Sequence, residues 1–335
     1  MTTLPAIVAD IGGTNTRVAL AYGKALRAGS MRKFSNADYA ARGQDIAHIL
    51  QDYLTETGVK AGGVCVAAAG PVQNGVAQMT NLNWVIDAAK LTAATGARRV
   101  ALLNDLQAQG QALGHIAATD LRPLIKGPVT ANAAMLVVGL GTGVNAAPVH
   151  ITPSGRIVPP SECGHVNMPV RSAETFRLAQ FIAQTLAADP ASPSQHPGVE
   201  EVLAGRGLAN LHAFAAQEAG TPSRLDSAQV LQALATGDAI AEHAARLYTQ
   251  ILAQMLADLA LIHLPYGGIY LIGGMSRAMT PHFARFGLTQ AFREPRRVDL
   301  LVKDFAVWVV EDDFAALTGC AAYLESQSTW ATDLS

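Results

Sequence analysis

Cysteine is scarce in this 335-residue chain: there are three, at positions 65, 163 and 320, far apart and odd in number. They make neither a disulfide framework nor a C-x-x-C pair, which fits a reducing compartment. Charge is thin as well. Only 15% of residues are charged, against about 25% in a typical soluble domain. The net charge of -2 comes with no basic block, so no nucleic-acid partner is expected. Long apolar runs are missing too. The longest, 255–275, is broken by Asp258, His263, Pro265 and a glycine pair, so it reads as a helix end, a turn and a buried strand. The opening "MTTLPAIVADIGG" has no positive leader and soon reaches Asp10. The expectation is therefore no signal peptide, no membrane and a cytoplasmic protein.

What is present is apolar. Half the residues are hydrophobic, enough for a substantial core, and the length favours two ordinary domains over one very large one. Strand-like runs, "AIVADI", "RVALAY", "GVCVAAAG", "RVALLND" and "AAMLVVGLG", alternate with helical spacing near 39–57 and 106–117. That order predicts an α/β protein with a largely buried sheet. After about residue 172 the pattern turns helical, in "AETFRLAQFIAQTLAA" and in the long run 239–264 that stops at Pro265. "GGIYLIGGM", "VDLLVKD" and "FAVWVVEDD" read as further strands, and "FAALTGCAAYLES" as a closing helix.

Glycine marks the strand ends, at Gly12-Gly13, Gly70-Pro71, Gly141 to Gly143 and Gly273-Gly274. In "ADIGGTNTR" the pair Gly12-Gly13 predicts a tight turn with positive φ. "RVALAY" returns at once, so the unit should be a hairpin. The lysine of a P-loop is absent. In "GLGTGVN" the last glycine of G-x-G-x-x-G falls on Val144, so neither nucleotide fingerprint is met. Both corners still offer backbone N–H groups and a hydroxyl, from Thr14 or Thr142, to a polyphosphate. The likeness of "AIVADIGGTN" to "AMLVVGLGTGVN" predicts two similar halves facing each other across a cleft.

Three polar clusters remain. Asn104 and Asp105 end an apolar strand, where two readings are open: a helix N-cap, or a substrate-gripping amide beside a general base. Glu162, Cys163 and His165 are all metal-ligand types, but no second ligand cluster accompanies them. Glu200 and Glu201 suit a solvated helix face as well as a ligand contact.

Taken together, "DIGGTNTR", "AAAGPVQNGVAQMTNLNW", "LLND", "GLGTGV", "ECGHVN", "GVEEVLAGRGLANL" and "YLIGGM" resemble, in this order and from residue 6 to about 322, the bacterial glucokinases of the hexokinase-like group. These belong to the actin, Hsp70 and sugar-kinase superfamily. The resemblance implies an α/β, two-domain ribonuclease-H-like (actin-like ATPase) fold with an interdomain cleft. Residues 1–112 plus 314–335 would form the small domain and 113–313 the large one. It implies ATP-dependent phosphorylation of glucose at the 6-hydroxyl, with Asp105 as general base and Asn81, Asn104, Glu162, His165 and Glu200 on the sugar hydroxyls. Asp10 would orient Mg²⁺ through water. Gly12, Gly13, Thr14, Asn15, Gly141, Thr142 and Gly143 would hold the phosphates, and Gly273 and Gly274 would lie against adenine and ribose. A homodimer is expected, from the long helix and the apolar composition.

Three departures stand out: Asn145 replaces a glycine of the second phosphate motif, Arg206 replaces the proline of G-P-G-L, and "DDFAALTG" replaces an Asn-Pro-Gly version. The Cys-rich zinc motif of the broader sugar-kinase group is absent. The rival readings are a kinase of fructose, mannose or an N-acetyl sugar, and a non-catalytic sugar sensor.

Overall fold

A computed structural model describes residues 4–79, 82–153, 155–192 and 194–330. The chain divides into two compact units: 1–118 with 149–160 and 312–335, and 119–148 with 161–311. Among the described residues no helix is long and apolar enough to cross a membrane.

The first unit is built on a sheet with strand order Ala25–Leu26, Asn15–Tyr22, Ala6–Ile11, Gly63–Ala68, Arg99–Asn104, and with Arg32–Ser35 also paired to Asn15–Tyr22. Ala6–Ile11 runs antiparallel to Asn15–Tyr22 and parallel to Gly63–Ala68. Successive side chains alternate between faces, as a strand requires. Ile7, Ala9, Ile11, Val64 and Val66 pack with Ile46, Ile49, Leu50 and Tyr53 of the helix Ile46–Thr57. Val8, Ala19, Cys65 and Ala67 meet Ala316, Leu317, Cys320 and Leu324 of the helix Ala315–Trp330. The C-terminal helix therefore covers the second face of a sheet begun at the N-terminus.

The second unit repeats this plan. Its strand order is Leu121–Ile125, Val307–Val310, Ile269–Ile272, Met135–Leu140, Val144–Thr152, with Ile269–Ile272 parallel to both neighbours. The strand Val144–Thr152 leaves this unit after residue 148, and its far end pairs with Gly155–Ile157 in the first unit. Leu136, Val138, Ile269 and Leu271 pack on the helix Ala239–His263, which buries Tyr248, Ile251, Leu252 and Met255 in the same core.

Three expectations are corrected. The helix expected near 39–57 is two helices, Asn36–Ala40 and Ile46–Thr57. Gly43 lies at φ +68 between them, and Asp45 starts the second with a capping box shared with His48. The helix expected near 106–117 ends at Ala112, just before Gly114 at φ +81. "VDLLVKD" is a short helix, Leu300–Lys303, because burying Leu301 in the second core outweighs the strand-like apolar run.

Candidate active site

In the first unit, the strand Arg99–Asn104 passes directly into the helix Asp105–Ala112. Asn104 is the N-cap: its Oδ1 accepts from Leu106 N–H at 3.0 Å, and Gln107 Oε1 returns the favour to Asn104 N–H at 3.1 Å. This reciprocal capping box satisfies donors that the first helical turn would otherwise leave open. The Asn104 amide also donates to Gly70 O at 3.0 Å, tying the helix start to the Gly70-Pro71 corner. Asp105 occupies the first helical position and is exposed, with its Oδ1 accepting from Leu106 N–H at 2.8 Å.

Asp10 lies near the end of the first strand, with its carboxylate 3.7 Å from Arg17 Nη1 and 18% exposed. Burial raises its pKa from the ordinary 3.8 to about 6; Arg17 opposes the shift and the charge of Asp105 adds to it. The corner after it, Gly12 to Asn15, is closed by Gly12 N–H to Asn15 O at 3.0 Å. Gly12 and Gly13 do not have positive φ, contrary to expectation. Buried Asn36 shapes the turn instead: its amide donates to Gly12 O at 2.7 Å, its N–H donates to Thr14 O at 3.0 Å, and its Oδ1 accepts from Thr16 Oγ1 at 2.7 Å. Side chains attached at Gly13 would meet nothing within 4 Å. Glycine there presents bare, exposed backbone.

In the second unit, Gly141 to Gly143 form the matching corner, closed by Gly141 N–H to Gly143 O at 2.9 Å, and Gly141 is again open around a would-be Cβ. Glu200 sits against this corner. Its Oε2 accepts from Val144 N–H at 2.8 Å and would lie 2.8 Å from a Cβ on Gly143 and 3.2 Å from one on Gly164. Gly164 belongs to the turn that carries Glu162 and His165, both exposed, and a Cβ there would come within 2.1 Å of Val144 O. Only glycine lets the turn approach the corner so closely. The structure thus brings Gly141, Thr142, Gly143, Glu162, His165 and Glu200 together.

Two residues with no role expected from the sequence hold this half-site. Asn145 donates to Ser161 O and accepts from Cys163 N–H at 3.2 Å, tethering the Glu162–His165 turn. Arg206 pairs with Glu200 and, at 2.8 Å, with Glu201, while reaching Thr142 O at 3.4 Å. The two carboxylates hold the Arg206 pKa above its ordinary value. The one available signal was their departure from the family pattern. Gly273 and Gly274 open the helix Gly274–Phe283; Gly273, at φ +95, passes within 2.4 Å (from a would-be Cβ) of Leu140 O, and Gly274 is open. Asn81 lies outside the described residues. Burial pushes the Cys163 thiol up, away from thiolate reactivity.

Two sheets of one plan, each turning through an exposed glycine corner, define an actin-like two-domain sugar-kinase fold. The crystal structure of a glucokinase from an Antarctic psychrotroph matches it with a TM-score of 0.84 at 26% identity, over 96% of this chain and 99% of that one. The glucokinase family model matches residues 7–327. The glucokinase of Pseudomonas paraeruginosa is 31% identical over 326 residues, 96% of this chain and 92% of its own. That of Sinorhizobium fredii is 30% identical over 322 residues, 95% of this chain and 91% of its own. The chain belongs to the glucokinase family, enzymes that phosphorylate glucose with ATP.

Proposed function

We propose that the protein transfers the γ-phosphoryl group of ATP to the 6-hydroxyl of glucose with Asp105 as general base, giving glucose 6-phosphate and ADP. The observation that carries the assignment is the division of labour at the helix start. Asn104 does the capping, so Asp105 is not required for it. The Asp105 carboxylate accepts the hydroxyl proton as the new O–P bond forms, and the bond to the ADP oxygen breaks. Such transfers depend on positioning and charge stabilisation more than on covalent chemistry.

Glu162, His165 and Glu200 bind sugar hydroxyls in this reading. Asn104 keeps one amide N–H beyond its bond to Gly70 for the same use, and Asn81 is assigned with them from the family resemblance alone. Gly12, Gly13, Thr14 and Asn15, with Gly141, Thr142 and Gly143, offer backbone N–H groups and hydroxyls to the phosphates. Gly273 and Gly274 leave room for adenine and ribose. The bare surfaces at Gly13, Gly141 and Gly274 support this, because neither φ nor packing requires glycine there. Among the described residues no cluster of three or more ligating side chains could hold a metal alone. Asp10, partly buried and burdened by the charge of Asp105, fits instead a cation shared with nucleotide phosphates, held through water. Mg²⁺ there would neutralise charge on the transferring group. A cytoplasmic homodimer completes the proposal; Phe176 and Ile262, large apolar side chains left exposed in the second unit, support the dimer.

The test is ADP release with MgATP across glucose, fructose, mannose and N-acetylglucosamine, on wild type and Asp105→Asn. The substitution should lower kcat by about 10²–10⁴-fold, while glucose binding and thermal stability stay near wild type. An equally active but less stable variant would return Asp105 to a capping role.

A further inference from the structure

The first unit contains a small half-open pocket, of about 200 Å³, beside Gln111 of the Asp105–Ala112 helix; Pro153, Gly155 and Ala322 line it together with the polar side chains of Lys24, Gln111, His115, Arg156, Glu325 and Ser326. None of these residues has a part in the proposed transfer. We propose that this cavity is a second binding site, for a small oxyanion of the phosphate class.

The positive charge of Arg156 is the first reason. Its side chain is half-buried, and among the described residues it makes no ion pair with a carboxylate. Its guanidinium meets His115, whose Nε2 lies 2.6 Å from Arg156 Nη1. A guanidinium can only donate, so this contact requires the neutral imidazole, with Nε2 as acceptor. Arg156 Nε is buried and has no hydrogen-bond partner at all. Buried donors are nearly always satisfied, so the guanidinium that lines this pocket keeps unmet donor capacity, which an acceptor bound there would draw on.

The charge around the cavity agrees. Lys24 and Arg156 supply positive charge, His115 can become a third cation, and Glu325 is the one acid among the lining residues. Burial and the charges of Arg156 and Lys24 push the His115 pKa from the ordinary 6.5 down to about 4. A bound dianion would oppose that repulsion, accept from the Arg156 guanidinium and favour protonated His115. The size fits as well: ordinary ligand pockets run to about 300–1,000 Å³, so this cavity suits a small ion or the phosphoryl end of an ester rather than a nucleotide.

Thermal unfolding at matched ionic strength tests this, with millimolar inorganic phosphate, glycerol 3-phosphate or chloride, on wild type and Arg156→Gln. Phosphate should raise the wild-type Tm by several degrees beyond chloride. Arg156→Gln should lose most of that gain while keeping its shift with MgATP, which separates this cavity from the nucleotide site. By NMR, the His115 pKa should rise by a unit or more when phosphate is added. If Arg156→Gln folds poorly, Lys24→Gln, on an exposed turn, should still weaken the phosphate shift. A response to inorganic phosphate alone would identify a free ion, and an equal response to glycerol 3-phosphate the phosphoryl end of an ester. A phosphate shift no larger than that of chloride, one unchanged in both variants, or an unmoved His115 titration would overturn the proposal.

Discussion

Asp10 shows how a residue suited to a site can weaken the fold that carries it. Its folded pKa of about 6 lies above the ordinary 3.8, so the native state holds the proton more tightly than the unfolded chain does. The contribution to stability is fully present below about pH 3.8 and is lost as pH rises through 6. At roughly 1.4 kcal/mol per pH unit, the loss above pH 6 reaches about 3 kcal/mol at most. Asp10→Asn, melted without Mg²⁺ or nucleotide, should therefore be more stable than wild type at pH 7.5 and no more stable at pH 3.5. A difference independent of pH would mean that Asp10 is not held in this way. Other residues of the site left weaker traces. Asn36 looks in sequence like any helix-start asparagine, yet it shapes the first glycine corner. Asn145 and Arg206 stood out only as departures from the family pattern, and their partners, Ser161, Glu200 and Glu201, emerge only from packing.

At the scale of elements, the short helix Asp105–Ala112 is gripped by close approaches on two sides. A Cβ at Gly110 would lie 2.8 Å from Val158 Cγ1, and one at Gly319, on the C-terminal helix, 1.7 Å from Ala108 O. The second is a backbone contact that no rotamer change relieves. Gly319→Ala should force the two helices apart and cost roughly 1–3 kcal/mol or more, lowering Tm and, because Asp105 rides on the displaced helix, lowering kcat as well. Unchanged melting and turnover would show that the packing yields freely. Strands were legible because apolar runs ended at glycine. Helix ends were less so, since Gly43 and Gly114 act through positive φ that composition does not reveal.

For the whole molecule, the plan of two like halves was visible in the repeated strand-to-glycine unit, and each half does form its own sheet and core. The C-terminal segment was expected with the N-terminal domain, and 312–335 does cluster with the first unit, whereas residues 149–160, inside the span expected for the large domain, join the first unit as well. The long helix Ala239–His263 looked like dimer material, but its apolar side is buried in its own core. The dimer proposal rests on the exposed side chains of Phe176 and of Ile262 at the end of that helix, and a solution mass near twice the 35.0 kDa of the chain, by light scattering, is the expected outcome. A mass of one chain would remove it.

Local order alone determined the α/β class, the hairpin at the first corner and the alternation that makes a sheet two-faced, because those depend on neighbours one or two residues apart. Motif order determined the family. Tertiary structure decided which of Asn104 and Asp105 caps the helix, why Gly143 and Gly164 must be glycine beside Glu200, and that Arg156 lines a pocket with no carboxylate partner among the described residues. Each of those depends on atoms brought together from distant parts of the chain, and no local pattern encodes such distances.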